Sequence, residues 1–180
     1  MLIGLLSDTH INWPNTQFPS EVIKKAFEGV DLIIHAGDIW IPWVLDDLET
    51  IAPVLAAQGD DDMEEDIGGD KRIAQKQILS FEGVDLWVQH VKPRYGLINP
   101  LASSSYSNMF NRNPLPQEPV DPPDVVVFGH SHYAEIENYK GTILVNPGSP
   151  TLPQYVPKLG TIGLLTLESG QAQVRIVPLE

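Results

Sequence analysis

Leu2-Ile3-Gly4-Leu5-Leu6, followed at once by Ser7-Asp8-Thr9-His10, is the stretch from which the rest of the chain can be read. Five apolar residues in a row suit a strand covered on both faces. Polar side chains directly after such a strand sit at the carboxyl end of a sheet, where open α/β folds place their ligands. The same pattern returns twice. Asp31 to His35 runs into Gly37-Asp38, and Ala52 to Ala57 ends at Gly59-Asp60-Asp61-Asp62. Between these strands the periodicity predicts two helices. The first starts with Ser20 as N-cap and Glu21 in its first turn, carries Val22, Ile23, Ala26 and Phe27 on one face, and ends at Gly29. The second runs from about Pro42 through Val44, Leu45 and Leu48. Three successive β-α units imply parallel strands with right-handed crossovers, so all three strand ends fall on one edge of one sheet.

The second half changes character. Residues 72–81 and 84–89 read as strands paired across Glu82-Gly83, the second ending at His90. An irregular, proline-rich insertion follows over about 93–123, with five prolines between 114 and 123 and a short helix expected near Ser103 to Phe110. Asp124 to Phe128 is again a strand and leads into Gly129-His130-Ser131-His132. Tyr133 to Asn138, Thr142 to Val145, Thr161 to Leu167 and Ala172 to Pro178 read as antiparallel strands between glycine-containing turns. One domain over 1–180 accommodates all of this, and there is no internal repeat.

Composition narrows the chemistry. Apolar residues make up 42% and charged residues 19% of the 180, as in a soluble globular protein. A formal charge of −13, with only 11 Lys and Arg, argues against nucleic acid or an anionic membrane surface as main partner. Cysteine is absent, which removes disulfides and thiolate metal sites and leaves His, Asp, Glu and Asn as ligands. The apolar run near the start is too short for a signal peptide or a membrane span, so a cytoplasmic location is expected.

Collecting the polar residues that follow strands gives Asp8, His10, Asp38, Asp60, His90, His130 and His132. Any one of them, taken alone, reads better as a turn or capping residue. Four of the five histidines and three carboxylates repeating one strand-end context read as a cluster. Seven nitrogen and oxygen donors exceed the set that one metal takes from a protein and suit two adjacent metals sharing a carboxylate. His35, inside an apolar strand, reads as a structural histidine hydrogen-bonded in the core. The acidic run from Asp60 to Asp66, interrupted only by Met63, reads beyond Asp60 as a solvated loop. Trp40 and Trp43 either pack on the sheet or form an apolar wall beside the site.

With these motifs in place, the sequence resembles the calcineurin-like metallophosphoesterases, and among them the small bacterial and archaeal phosphodiesterase branch that includes the retromer scaffold subunit of eukaryotes. Ser7-Asp8-Thr9-His10 matches the first motif of that family, His35-Ala36-Gly37-Asp38 the second, Gly129-His130-Ser131-His132 its GH-x-H motif and Asn146-Pro147-Gly148-Ser149 a closing NPGS. The resemblance covers nearly the whole chain. It implies an α/β fold, a two-sheet β-sandwich flanked by helices. It also implies Asp8, His10, Asp38 and His132 on one metal, and Asp38, Asp60, His90 and His130 on the other, with Asp38 bridging.

The activity so implied is that of a binuclear-metal-dependent phosphoesterase, a phosphodiesterase in particular. Water between two divalent cations roughly 3.5–4 Å apart would attack phosphorus in line, with Asp38, His90 and Asp60 closest to the chemistry. Manganese is the expected metal, with iron, zinc, nickel or magnesium compatible, and the partner is a small phosphate ester, with a homo-oligomer left open. Three departures stand out. Asp60 replaces the family's Asn and brings the summed charge of metals, ligands and hydroxide from about +1 to about zero. Asp61 occupies the place of a histidine that helps protonate the leaving group in many relatives, so that acid is absent. Lys92, after His90-Val91, is either a phosphate-binding residue or a surface lysine. Two rival readings stay open, a scaffold or binding protein with weak or lost chemistry on the same fold, and a purely structural metal site.

Overall fold

The structure is a computed structural model that describes residues 1–12, 16–94 and 122–180. Two mixed sheets lie face to face. The first has six strands: β1 (Leu2–Leu6), β2 (Leu32–His35), β3 (Val54–Ala57), β4 (Ile73–Ala74), β10 (Thr161–Glu168) and β11 (Gln171–Pro178), in the order β11-β10-β1-β2-β3-β4. The second has β5 (Gln77–Phe81), β6 (Val84–Val88), β7 (Val125–Val127), β8 (Ala134–Tyr139) and β9 (Thr142–Pro147), in the order β5-β6-β7-β9-β8. β1 to β4 run parallel, as the repeated β-α pattern requires. In the second sheet β6, β7 and β9 are also parallel to one another.

Alternation along β1 explains its uninterrupted apolar sequence. Ile3 and Leu5 point into the core between the sheets, against Leu86, Val88, Val125, Val127 and Val145. Leu2 and Leu6 point the other way, into a second core under the helices α1 (Ser20–Ala26) and α2 (Trp43–Glu49). Gly4 lies under Phe27, where a Cβ would meet the ring at 2.9 Å. α2 buries Val44, Leu45 and Leu48, and full burial of each such side chain is worth about 1.5–3 kcal/mol. No helix of the described residues is long and apolar enough to cross a membrane.

Three local expectations are corrected. The stretch 72–81 is two strands, because the chain leaves the first sheet after Ala74 and enters the second at Gln77. Ser20 is the first helical residue and Pro19 holds the N-cap position, with no side-chain cap. Thr142 to Val145 pairs antiparallel with β8 but parallel with β7, the ladder that a buried central strand makes. The helix expected near Ser103 to Phe110, and most of the 93–123 insertion, lie outside the described residues.

Candidate metal centre

The turns after β1, β2, β3, β6 and β7 carry all seven collected residues, and the two sheets bring these turns together at one end of the sandwich. The turns are tight and costly. Asp8, His10, Asp38, His130 and His132 all have left-handed backbone, with φ of 55°, 40°, 58°, 69° and 58°. Each such non-glycine residue costs on the order of 1–3 kcal/mol, and clusters of them mark functional turns held by their surroundings. Backbone bonds hold them here: Asp8 N–H donates to Gly37 O at 2.9 Å and His10 N–H to Asp38 O at 3.1 Å. Gly59 and Gly129 are required by close approach, since a Cβ at Gly59 would overlap Asp38 Oδ1 and one at Gly129 would overlap Ser7 Oγ.

The donor atoms fall into two groups. Asp8, His10, Asp38 and His132, all buried, form one, and Asp60, His90 and His130 the other, with the atoms of each group within 4.8 Å of one another. The resemblance adds Asp38 to the second group. Asp38 touches both groups, for its Oδ2 lies 3.2 Å from His10 Nε2 and 3.2 Å from His90 Nε2. Its Oδ1 is occupied elsewhere, accepting the Asp61 N–H at 3.0 Å. Asp60 Oδ1 lies 2.8 Å from His90 Nε2 and 2.9 Å from His130 Nδ1. His132 Nε2 lies 3.1 Å from His10 Nε2 and 3.6 Å from Asp8 Oδ1. Nitrogen and oxygen ligands about 2.1 Å from a divalent cation sit roughly 3.0–3.4 Å apart, and the two Asp38 Oδ2 contacts and the His10–His132 separation fall in that range.

Second-layer bonds fix which ring nitrogen faces inward. His90 Nδ1–H donates to Ala36 O at 2.7 Å and His132 Nδ1–H to Leu152 O at 2.8 Å. In each neutral ring the lone pair therefore sits on Nε2 and faces the cluster, the arrangement of a metal-binding imidazole. His90 Nε2 is buried and points among carboxylate oxygens without the alignment of a hydrogen bond to any. A lone pair against carboxylates needs a cation or a proton between them. Without metal the proton takes that place: burial opposes charging His90, but Asp38 and Asp8 outweigh it and lift its pKa to about 9. Burial pushes Asp8 up to about 6, with His90 pulling the other way. Asp38 is held well below the ordinary carboxylate range, because His10 and His90 more than offset its burial. The donor set fits divalent cations with borderline or hard preferences.

His35 is the structural histidine expected. Burial depresses its pKa to about 3, its Nδ1 accepts the Gly37 N–H at 3.2 Å and its Nε2–H faces Thr9 Oγ1 at 3.2 Å. Trp40 lies edge-on to His10, 5.2 Å between centroids, beside the site, while Trp43 packs on Phe18. Lys92 has two carboxylate partners on β8, Glu135 at 2.6 Å and Glu137 at 2.8 Å, so a phosphate contact would compete with both ion pairs.

Two structural roles, that of Asp62 and that of the NPGS segment, escaped the sequence reading. Asp62 belongs to no solvated loop. It is 5% exposed, and its carboxylate accepts four backbone N–H groups: Oδ2 those of Asp38 (3.0 Å) and Gly59 (2.7 Å), Oδ1 those of Ile39 (2.7 Å) and Trp40 (2.8 Å). It thereby shapes the turn that presents Asp38. The signal was an aspartate three residues after a turn glycine, a side chain able to close its own loop. The acidic run also contains a short helix, α3 (Glu64–Ile67), that buries Ile67. The second feature is the NPGS segment, a brace under two turns. Asn146 Nδ2 donates to Gly129 O at 2.9 Å, and Ser149 Oγ donates to Asp8 O at 2.7 Å while accepting the Leu152 N–H at 2.8 Å. Tyr155 stacks on His132 with centroids 4.1 Å apart and donates its hydroxyl to His130 O at 3.2 Å.

The chain is 30% identical over 183 residues to a "Probable metallophosphoesterase" of Methanocaldococcus jannaschii, covering 100% of this chain and 82% of that protein. It is 26% identical to a phosphodiesterase of the same organism, over 93% of this chain and 94% of the relative. Its fold matches zinc-complexed Vps29 of Entamoeba histolytica with a TM-score of 0.68 across the whole of both chains, at 17% identity. Residues 1–170 match the Calcineurin-like phosphoesterase superfamily domain, and the chain is a member of that family.

Proposed function

We propose that this chain hydrolyses phosphodiesters with two divalent cations, one held by Asp8, His10, Asp38 and His132 and the other by Asp38, Asp60, His90 and His130. The family is metal-dependent. The observation that carries the assignment is the placement of Asp38 Oδ2 at 3.2 Å from an imidazole of each group. When bound, such a cation pair supplies Lewis acidity, lowering the pKa of water and neutralising charge on phosphate. The chain's own work is positioning. Asp38 is presented by the turn that Asp62 closes, His90 and His132 are oriented by carbonyls, and Asp8 is tied to the GH-x-H turn by the His130 N–H at 2.9 Å. A cleft of about 160 Å³ lies over the cluster, lined in addition by Asp61, Leu152 and Tyr155. Asp60 lowers the net charge of the loaded cluster, which favours a monoanionic diester over a dianionic monoester. Manganese is the proposed metal.

Asp60 and Asp61, at the two positions that depart from the family pattern, support a second reading, a binding protein on this fold with little turnover. Hydrolysis of bis(4-nitrophenyl) phosphate by metal-stripped protein, before and after addition of manganese, separates the two. The phosphodiesterase reading expects activity that appears with metal and disappears with chelator. Metal bound at two sites without hydrolysis of diester or monoester would leave the binding reading.

A further inference from the structure

We propose that Tyr155 selects the ester: its ring, held beside the ligand cluster, stacks on an aromatic ring carried by one ester group of the substrate. The inference rests on the phosphodiesterase reading above and goes beyond it in naming the class of ester. Tyr155 closes the short turn Pro153–Tyr155 that follows the NPGS brace, and Gln154 and Tyr155 are consecutive non-glycine residues with left-handed backbone, φ of 54° and 60°. Such a pair is a strained conformation that its surroundings must hold in place. Side-chain burial does not hold it, since Tyr155 is 59% exposed. Contacts to the GH-x-H turn do: the ring stacks on His132 with planes 24° apart, the hydroxyl donates to His130 O, and the Gln154 N–H donates to His132 O at 3.3 Å. An exposed aromatic ring is thereby kept at the cluster instead of being released to solvent.

The setting decides what this ring takes. It lines the cleft over the cluster, whose other lining residues are His10, Asp38, Asp60, Asp61, His130, His132 and Leu152. Leu152 is fully buried, so Tyr155 supplies the apolar surface that a ligand can touch. One face of the ring is covered by His132, and no other ring packs on it among the described residues. His132 belongs to the cluster, so a phosphate held there and a group lying on Tyr155 are close enough to be parts of one ester. A flat surface offers an aliphatic group only the burial of area, whereas a second ring gains the offset-stacked or edge-to-face geometry of an aromatic pair as well. A further phosphate or carboxylate on the same group would find no lysine or arginine among the described lining residues, and would meet carboxylates in a chain that carries −13. The favoured ester group is therefore uncharged and aromatic.

Calorimetry on the manganese-loaded protein tests this with the monomethyl esters of phenylphosphonic and cyclohexylphosphonic acid, monoanions like a diester, with rings of similar size on a P–C bond that water does not cleave. Stacking beyond buried area is expected to favour the phenyl compound about fivefold in Kd. The preference should fall within about twofold in Tyr155→Leu, which keeps an apolar side chain without a ring, and persist in Tyr155→Phe, which keeps the ring without the hydroxyl. A residue that merely shields His132 would shift both Kd values together and leave their ratio unchanged. The corresponding 2-phenylethyl and 2-cyclohexylethyl pair identifies the source of the ring: a larger preference in the shorter pair assigns an aryl ester, and a larger one in the longer pair a ring held through a spacer, as in a nucleoside. A ratio within about twofold in both pairs, a ratio unchanged in Tyr155→Leu, or no binding of any of the four overturns the inference. Hydrolysis of bis(4-nitrophenyl) phosphate by the same samples keeps the two readings apart. Hydrolysis without the preference removes only the role of Tyr155, whereas the preference without hydrolysis removes the phosphodiesterase and leaves a protein that binds aromatic esters.

Discussion

Replacing Asp62 by Asn tests the argument that this residue builds the turn for Asp38. The exchange keeps shape and size but turns one carboxylate oxygen into an NH2 group. Each oxygen accepts two backbone N–H groups, so either orientation of the amide leaves two buried donors facing another donor. A buried donor without acceptor costs about 1–3 kcal/mol, which gives roughly 2–6 kcal/mol in all, and about 4 as a central value. In a domain of this size 1 kcal/mol shifts Tm by about 2–4 °C, so the variant should melt about 8–16 °C lower. The assay is thermal unfolding followed by circular dichroism in chelator, so that metal contributes nothing. With metal, misplacement of Asp38 should weaken affinity by about 10–100-fold, as other outer-shell changes do. A melting temperature within about 3 °C of the parent would refute the reasoning and return Asp62 to the solvated loop.

Further outcomes follow from the same geometry. Alanine at His10 or His132 should abolish hydrolysis, and activity within twofold of the parent after either change would remove both from the proposed ligand set. Asp60→Asn takes one negative charge from the cluster, so inorganic phosphate should inhibit more strongly at saturating metal while more metal is needed for half-activity. Equal inhibition by phosphate at moderate ionic strength would place Asp60 outside the ligand shell. Metal binding should also displace the proton from His90. With a folded-state pKa of about 9, His90 in metal-free protein is about 0.9 protonated at pH 8 and about 0.2 at pH 9.5. Proton release per chain in weakly buffered indicator solution should therefore drop by about 0.7 between these values, and a flat profile would contradict the assignment. The sign carries to stability. Because the pKa is raised on folding, the metal-free protein has this contribution in full below about pH 6.5 and loses it as pH rises through 9.

Much of this architecture is legible in the chain because its motifs repeat one context. Apolar strands running directly into Asp8, Asp38 and Asp60 can be parallel only if their ends share an edge, and the structure has them so. The shared strand-end context gathers His90, His130 and His132 with the first group on a single sheet edge, but in the structure they come from the other sheet, since no local pattern says which sheet faces which. The division of 72–81 was hidden because the chain changes sheets at Gln75 and Lys76 without glycine or proline to mark it. Asp62 was hidden by composition: among six acidic residues between 60 and 66, only its burial distinguishes it, and burial is a property of the closed turn. The brace formed by Ser149 and Asn146 was visible as a motif, but its purpose lies in bonds to residues about 140 and 17 positions away.

If Asp38 is shared by two metal sites, its loss should affect both ions. Metal content after equilibration with excess manganese and removal of the unbound ion, compared between the parent and Asp38→Ala, tests it most directly. Two ions per chain are expected in the parent, with both lost or weakened at least tenfold in the variant. One ion per chain in the parent, or a variant that keeps one site at unchanged affinity, would contradict it.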